Sequence, residues 1–117
     1  MNDNLHLFYP RSDIPSVPAG PGATRKVMAH GDDLMVVEVT FEEGADGAPH
    51  RHPHTQSSYV VSGDILFRIG EAGKSTDLVM HPGDSVFLPG DVPHCLKALT
   101  PAVVIDVFTP AREDFLK

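Results

Sequence analysis

Three histidines stand at alternate positions in the run APHRHPHTQ: His50, His52 and His54, with Gln56 at the next alternate position. Alternate side chains of an extended strand share a face, so this spacing aims imidazoles and an amide into one space. Converging imidazoles are the usual way a protein holds a divalent transition metal. The chain carries seven histidines, so a His-rich solvated turn is the competing reading of this run alone. A second stretch, GDSVFLPGDVPH, places His94 behind a short apolar strand and a Pro/Gly/Asp turn. A third, AVVIDVF, puts Asp106 in an otherwise apolar strand. An ionised carboxylate is expensive there unless paired, so Asp106 calls for a raised pKa or a cationic partner. Buried carboxylates beside a cavity are common proton-transfer groups; the alternative is a structural Asp bonded to backbone. Phe108 shares its face, and Arg112 follows a short turn later. That guanidinium could fork onto a substrate carboxylate or pair with Glu113 or Asp114.

The elements that must position these groups read as strands. Residues 1–22 hold four prolines and two glycines, which excludes a helix and a central strand. They form an extended arm over the barrel or a neighbouring subunit, or else a disordered tail. From residue 23 the chain is β-like. Thr24–Ala29 and Leu34–Phe41 are predicted strands separated by a turn at His30–Asp33. Met35, Val37, Val39 and Phe41 alternate cleanly with their neighbours. Pro53 interrupts pairing after His52, and a strand restarts through Ser57–Val61. Further strands are expected at Asp64–Ile69, Asp77–Met80, Ser85–Leu88, His94–Leu99 and Ala102–Phe108. Short strands with turns about every ten residues suggest a sandwich or barrel. No internal repeat or amphipathic helix is visible.

A length of 117 residues bounds this to one domain. A net charge of −7 argues against nucleic acid or an anionic membrane as partner. The single cysteine, Cys95, leaves no internal disulfide and fits a reducing cytoplasm. Because it follows His94 directly, it should face away from any metal. Met1 leads into NDNLHLFYP, without a basic start or apolar run, so neither a signal peptide nor a membrane span is expected. His6, His30 and His81 fall in the arm or in turns and read as surface residues. Val60 and Val61 are read as outward-facing apolar residues that a second subunit would cover.

The two histidine stretches resemble the motifs of the cupin family. The first motif, G-x5-H-x-H-x3-4-E-x6-G, is matched by Gly44, His50, His52, Gln56 in place of the acid, and Gly63. The second, G-x5-P-x-G-x2-H-x3-N, is matched by Gly83, Pro89 and His94. Asp91 stands where its glycine is expected, Gly90 is one position early, and Ala98 replaces the asparagine. The resemblance implies an all-β, single-domain jelly-roll barrel, with residues 1–22 as arm, 23–110 as barrel and 111–117 as tail. It also implies a divalent metal (Ni, Zn, Fe or Mn) held by His50, His52, Gln56 and His94; Pro53 takes His54 off the strand, which places that residue behind them or on the rim. An amide in place of the usual glutamate leaves the ion more positive. That favours a Lewis acid and an anchor for an anionic substrate over oxidative chemistry.

HRHPHTQ, RKVMAHGDDLMVVEVTFEEGA and DVFTPAREDFL are further similar to the small pectin-degradation cupins of the KdgF type. These linearise 4,5-unsaturated uronates to 5-keto-4-deoxyuronate. The likeness implies that Asp106, Phe108 and Arg112 line an active site, with Asp106 and Arg112 catalytic and Phe108 and Arg112 binding a small anionic sugar. It further implies a homodimer. Because one fold hosts many functions, two alternatives stay open: another metal-dependent cupin such as a dioxygenase, or a non-catalytic module that binds a sugar or effector.

Overall fold

The computed structural model of the chain describes residues 7–71 and 73–117, so His6 lies outside the described residues. Among the described residues nine strands follow in order: β1 (Val17–Pro18), β2 (Ala23–His30), β3 (Met35–Phe41), β4 (Thr55–Ser62), β5 (Ile65–Ile69), β6 (Thr76–Met80), β7 (Ser85–Leu88), β8 (His94–Ala98) and β9 (Ala102–Thr109). They form a six-stranded sheet, ordered β1-β2-β3-β9-β4-β7, and a three-stranded sheet, β6-β5-β8. All pairings are antiparallel. The two sheets close on each other as a single jelly-roll barrel, the expected architecture.

The core follows from the period-two pattern. In β3, Met35, Val37 and Val39 are buried while their neighbours face out. In β9 the inward row is Ala102, Val104, Asp106 and Phe108. Opposite them, Ile65 and Phe67 of β5 pack against Val60, Leu88 and Val104. Each such side chain contributes roughly 1.5–3 kcal/mol on burial. A second cluster, Met35, Val37, Val39, Phe108 and Ala111, closes the other end.

Two differences from the sequence reading have simple causes. Val60 is fully buried and only Val61 is exposed; successive residues of a strand cannot share a face, so the expectation that both valines point outward is corrected. His30 ends β2 instead of lying in a turn: its Nδ1 meets the Met28 carbonyl at 3.0 Å, and its ring meets Tyr9 at 5.3 Å between centroids. The arm lies over its own barrel and adds an edge strand, pairing Val17 with Arg25 and Pro18 with Thr24. An edge is where a proline is tolerated.

Candidate metal centre and cavity

Two local devices bring the histidines together. Residues 44–50 run antiparallel beside β8, bridging His50 to His94 through reciprocal backbone hydrogen bonds of 3.0 and 2.9 Å. The turn after β7 then crosses the chain that carries His52. The Asp91 N–H donates to the His52 carbonyl at 2.8 Å. A Cβ on Gly90 would stand 2.5 Å from the Pro53 carbonyl oxygen, so only glycine fits there. Asp91 takes the left-handed φ of 65°, a conformation Asp tolerates better than most residues. The glycine expected one position later is thus divided in two: Gly90 supplies the close approach and Asp91 the backbone twist.

His50, His52 and His94 form a cluster in which one ligand atom from each lies within 4.8 Å of the others. The ring centroids of His50 and His94 are 4.4 Å apart, and those of His52 and His94 are 5.0 Å apart. Each ring is held from behind through Nδ1: His50 at the Ala48 carbonyl (3.3 Å), His52 at the His54 carbonyl (3.1 Å) and His94 at the Val92 carbonyl (2.9 Å). A carbonyl only accepts, so Nδ1 carries the hydrogen and each Nε2 is left as a bare lone pair. His94 Nε2 is buried and has no partner among the described residues. His52 Nε2 lies 2.9 Å from Gln56 Oε1. Two acceptors facing each other so closely are relieved by a cation held between them, so the donor set fits a divalent metal. Burial holds the His52 pKa down, with the charges of Arg112 and His50 adding to the effect. Burial pushes His94 down to about 4. Both imidazoles are therefore neutral at pH 7, the form that ligates.

His54 stands outside the cluster. Its ring is 5.4 Å from that of His52 and 6.4 Å from that of Phe108, and its carbonyl orients His52. His81 is exposed and bonds Asp64 at 2.8 Å. Cys95 is buried on the opposite side of β8 from His94, and burial raises its pKa.

The register of β4 against β9 carries the site inward from Gln56. Gln56 pairs with Phe108, and Ser58 pairs with Asp106. Gln56 Nε2 donates to Ser58 Oγ at 2.9 Å, and Ser58 Oγ donates to Asp106 Oδ1 at 2.6 Å. On its other flank Asp106 meets Val37, which is wholly buried. The carboxyl group therefore has hydrogen bonds on one side and hydrocarbon on the other. Desolvation raises its pKa to about 6, against the opposing pull of Ser58, Gln56 and Arg112. Ser58 was not singled out in the sequence, although it has the same strand parity as Gln56 and Val60.

These groups open onto a cavity of about 320 Å³ between the sheets, at the small end of the range for ligand pockets. The C-terminal tail folds back over it. Phe115 packs edge-on against Phe108 at 5.8 Å, and Phe108 in turn lies edge-on to His52 at 5.6 Å. Arg112 lines the cavity with its guanidinium carbon 4.1 Å from the Phe115 ring centroid and 5.1 Å from that of Phe108. Its fork closes on Asp114, Nε to Oδ1 at 3.0 Å and Nη2 to Oδ2 at 2.8 Å. The sequence reading had weighed that pair against a substrate fork. Arg25, also not singled out, reaches the same cavity from the inward row of β2, between Ala23 and Val27.

A barrel of two antiparallel sheets with three histidines converging inside it is the cupin architecture, and the model of the cupin domain matches residues 37–108. The chain belongs to the cupin family. It is 34% identical over 114 residues to the pectin degradation protein KdgF of Dickeya dadantii (strain 3937), covering 96% of this chain and all of that one. Among solved structures it is similar to KdgF from Halomonas sp., with a TM-score of 0.84 and 36% identity over 92% of this chain and 98% of that one. An RmlC-like cupin from Shewanella frigidimarina NCIMB 400 superposes with a TM-score of 0.85 and 35% identity over 92% of this chain and 94% of that one. These likenesses and the histidine cluster support a cupin enzyme. Among the described residues no helix is long and apolar enough to cross a membrane.

Proposed function

We propose that the protein opens the ring of a 4,5-unsaturated uronate, giving the linear 5-keto-4-deoxyuronate. The supporting observation is Asp106: a carboxyl group with a pKa near 6 shares one cavity with a three-histidine cluster and is joined to Gln56 through Ser58. The reaction is an isomerisation that needs one proton moved and nothing added. Asp106 takes the proton of the anomeric hydroxyl, C1 becomes a carbonyl, and the bond from C1 to the ring oxygen breaks. The electrons of the C4=C5 bond then collect the proton from Asp106 at C4, and the former ring oxygen remains on C5 as a ketone. Burial raises this carboxyl group above the usual carboxylate range and a cation on the histidines would lower it, and a group held between those effects can take and return a proton. Ser58 donates to the carboxylate form and limits how far its pKa rises. A divalent cation on His50, His52, Gln56 and His94 would supply Lewis acidity and an anchor for the sugar's oxygens. Phe108 gives the ring an apolar wall, and Arg112, its fork closed on Asp114, forms part of the same wall.

The remaining expectations are part of the same proposal. A small anionic sugar is the partner, the one buried thiol suits a reducing cytoplasm, and the protein is a homodimer. Tyr59, Val61 and Phe87 are exposed on the outer face of the large sheet, beside the outward residues Ile105 and Val107 of β9, and this strip needs cover. A monomeric mass by light scattering would remove the dimer. The enzymatic reading is tested with the metal-loaded protein and unsaturated galacturonate, following loss of the ultraviolet absorbance of the C4=C5 bond. Conversion faster than in buffer, with the 5-keto acid as product, is expected. A rate equal to that in buffer for both galacturonate- and alginate-derived substrates would overturn the reading.

A further inference from the structure

We infer that Arg25, not Arg112, is the cation that receives the substrate's carboxylate. The inference rests on the uronate reading for the identity of the ligand, but the site itself is built from this chain's own contacts. Arg25 and Arg112 place their guanidinium carbons 3.8 and 4.1 Å from the ring centroid of Phe115. The stacked aromatic ring fixes both planar groups at the cavity wall. Their hydrogen-bonding states differ. Arg112 spends Nε and Nη2 on the two oxygens of Asp114. Arg25 Nε is buried with no partner among the described residues. Asp114 thus closes on Arg112, while Arg25 stands in the cavity wall with no ion-pair partner among the described residues.

Position supports the same assignment. Arg25 pairs in register with Val17 on one side and Val39 on the other, neither of which can accept a hydrogen bond from its side chain. Burial and the charge of Arg112 both act against the charged form of Arg25, with Asp114 opposing them. Nε itself is shut off from the cavity, so a bound carboxylate would meet the terminal nitrogens and give Arg25 the counterion that Asp114 gives Arg112. Lys26, the next residue, points outward and donates to the Ile14 carbonyl. Of the adjacent basic pair, only Arg25 is aimed at the cavity. This arrangement selects an anionic sugar over its neutral counterpart.

The test uses the metal-loaded protein and two probes that differ only in charge, D-galacturonate and its methyl ester, titrated by calorimetry. Wild type should bind the acid at least about tenfold more tightly than the ester, as loss of a charge-assisted bidentate contact implies. Arg25→Gln should erase that preference while leaving ester affinity and metal content within about twofold of wild type. Arg25→Lys, which keeps the charge and suits a variant series should Gln not fold, should retain only part of it. Equal weakening of acid and ester would mark Arg25 as a support for Phe115 and overturn the proposal. So would full retention of the preference, or its absence from wild type. The two readings separate cleanly. An Arg25-dependent acid preference without turnover keeps this subsite and removes the linearising activity. Turnover with an unchanged preference in Arg25→Gln does the reverse.

Discussion

Replacing Asp106 with Asn should make the protein more stable and less active at the same time. In the folded chain the Asp106 pKa is raised from 3.8 to about 6, so the native state holds its proton to higher pH than the unfolded chain. Wild type therefore loses stability as the pH climbs from 3.8 towards 6, and the loss is complete above that. A shift of that size corresponds to about 3 kcal/mol, of which about half develops between pH 5 and 7.5. Asn is nearly isosteric and does not titrate. The difference in unfolding free energy, Asn variant minus wild type, should accordingly grow by about 1.4 kcal/mol over that interval. Urea denaturation of the metal-free proteins measures it, because a bound cation would itself pull the carboxyl pKa down. The metal-loaded Asn variant should meanwhile lose roughly 10²–10⁴-fold in turnover of the unsaturated uronate, the range for a lost general acid–base. A stability difference independent of pH would show that the carboxyl group is not held in a desolvated site. Full turnover would refute its role as proton carrier.

Gln56→Glu adds an anionic ligand, so metal content by elemental analysis should hold or rise while turnover falls through a weaker Lewis acid; unchanged turnover would sink the argument about charge at the metal. Gly90→Ala forces a Cβ to within 2.5 Å of the Pro53 carbonyl oxygen. It should destabilise the fold by about 1–3 kcal/mol and lower metal occupancy, since the same crossing holds His52. A wild-type midpoint and wild-type metal content would show that the crossing does not position His52.

Much of this protein is legible along the chain because strand parity is a local property. Period two puts Met35, Val37 and Val39 on one face, marks Asp106 as the anomalous member of an apolar row, and sets His94 and Cys95 on opposite sides of β8. Where the sequence reading let Val60 and Val61 share a face, it departed from that same rule. Convergence was less accessible. His50 meets His94 because residues 44–50 run along β8, and His52 is held by a turn some forty residues further on. Chain separation also hid the hydrogen-bonded chain from Gln56 through Ser58 to Asp106. Ser58 and Asp106 are 48 positions apart and meet only through the register of β4 on β9. A serine in a strand is unremarkable until its neighbour is known. The arginines show the limit most clearly. Sequence spacing brought Arg112 to notice because it follows Asp106 and Phe108, and it left open whether the fork met substrate or tail. The folded tail closes that fork on Asp114 and brings Phe115 back against Arg25, which lies ninety residues earlier and has no motif to mark it. Which charge is neutralised and which is left facing the cavity depends on packing between distant segments, and only the tertiary structure decides it.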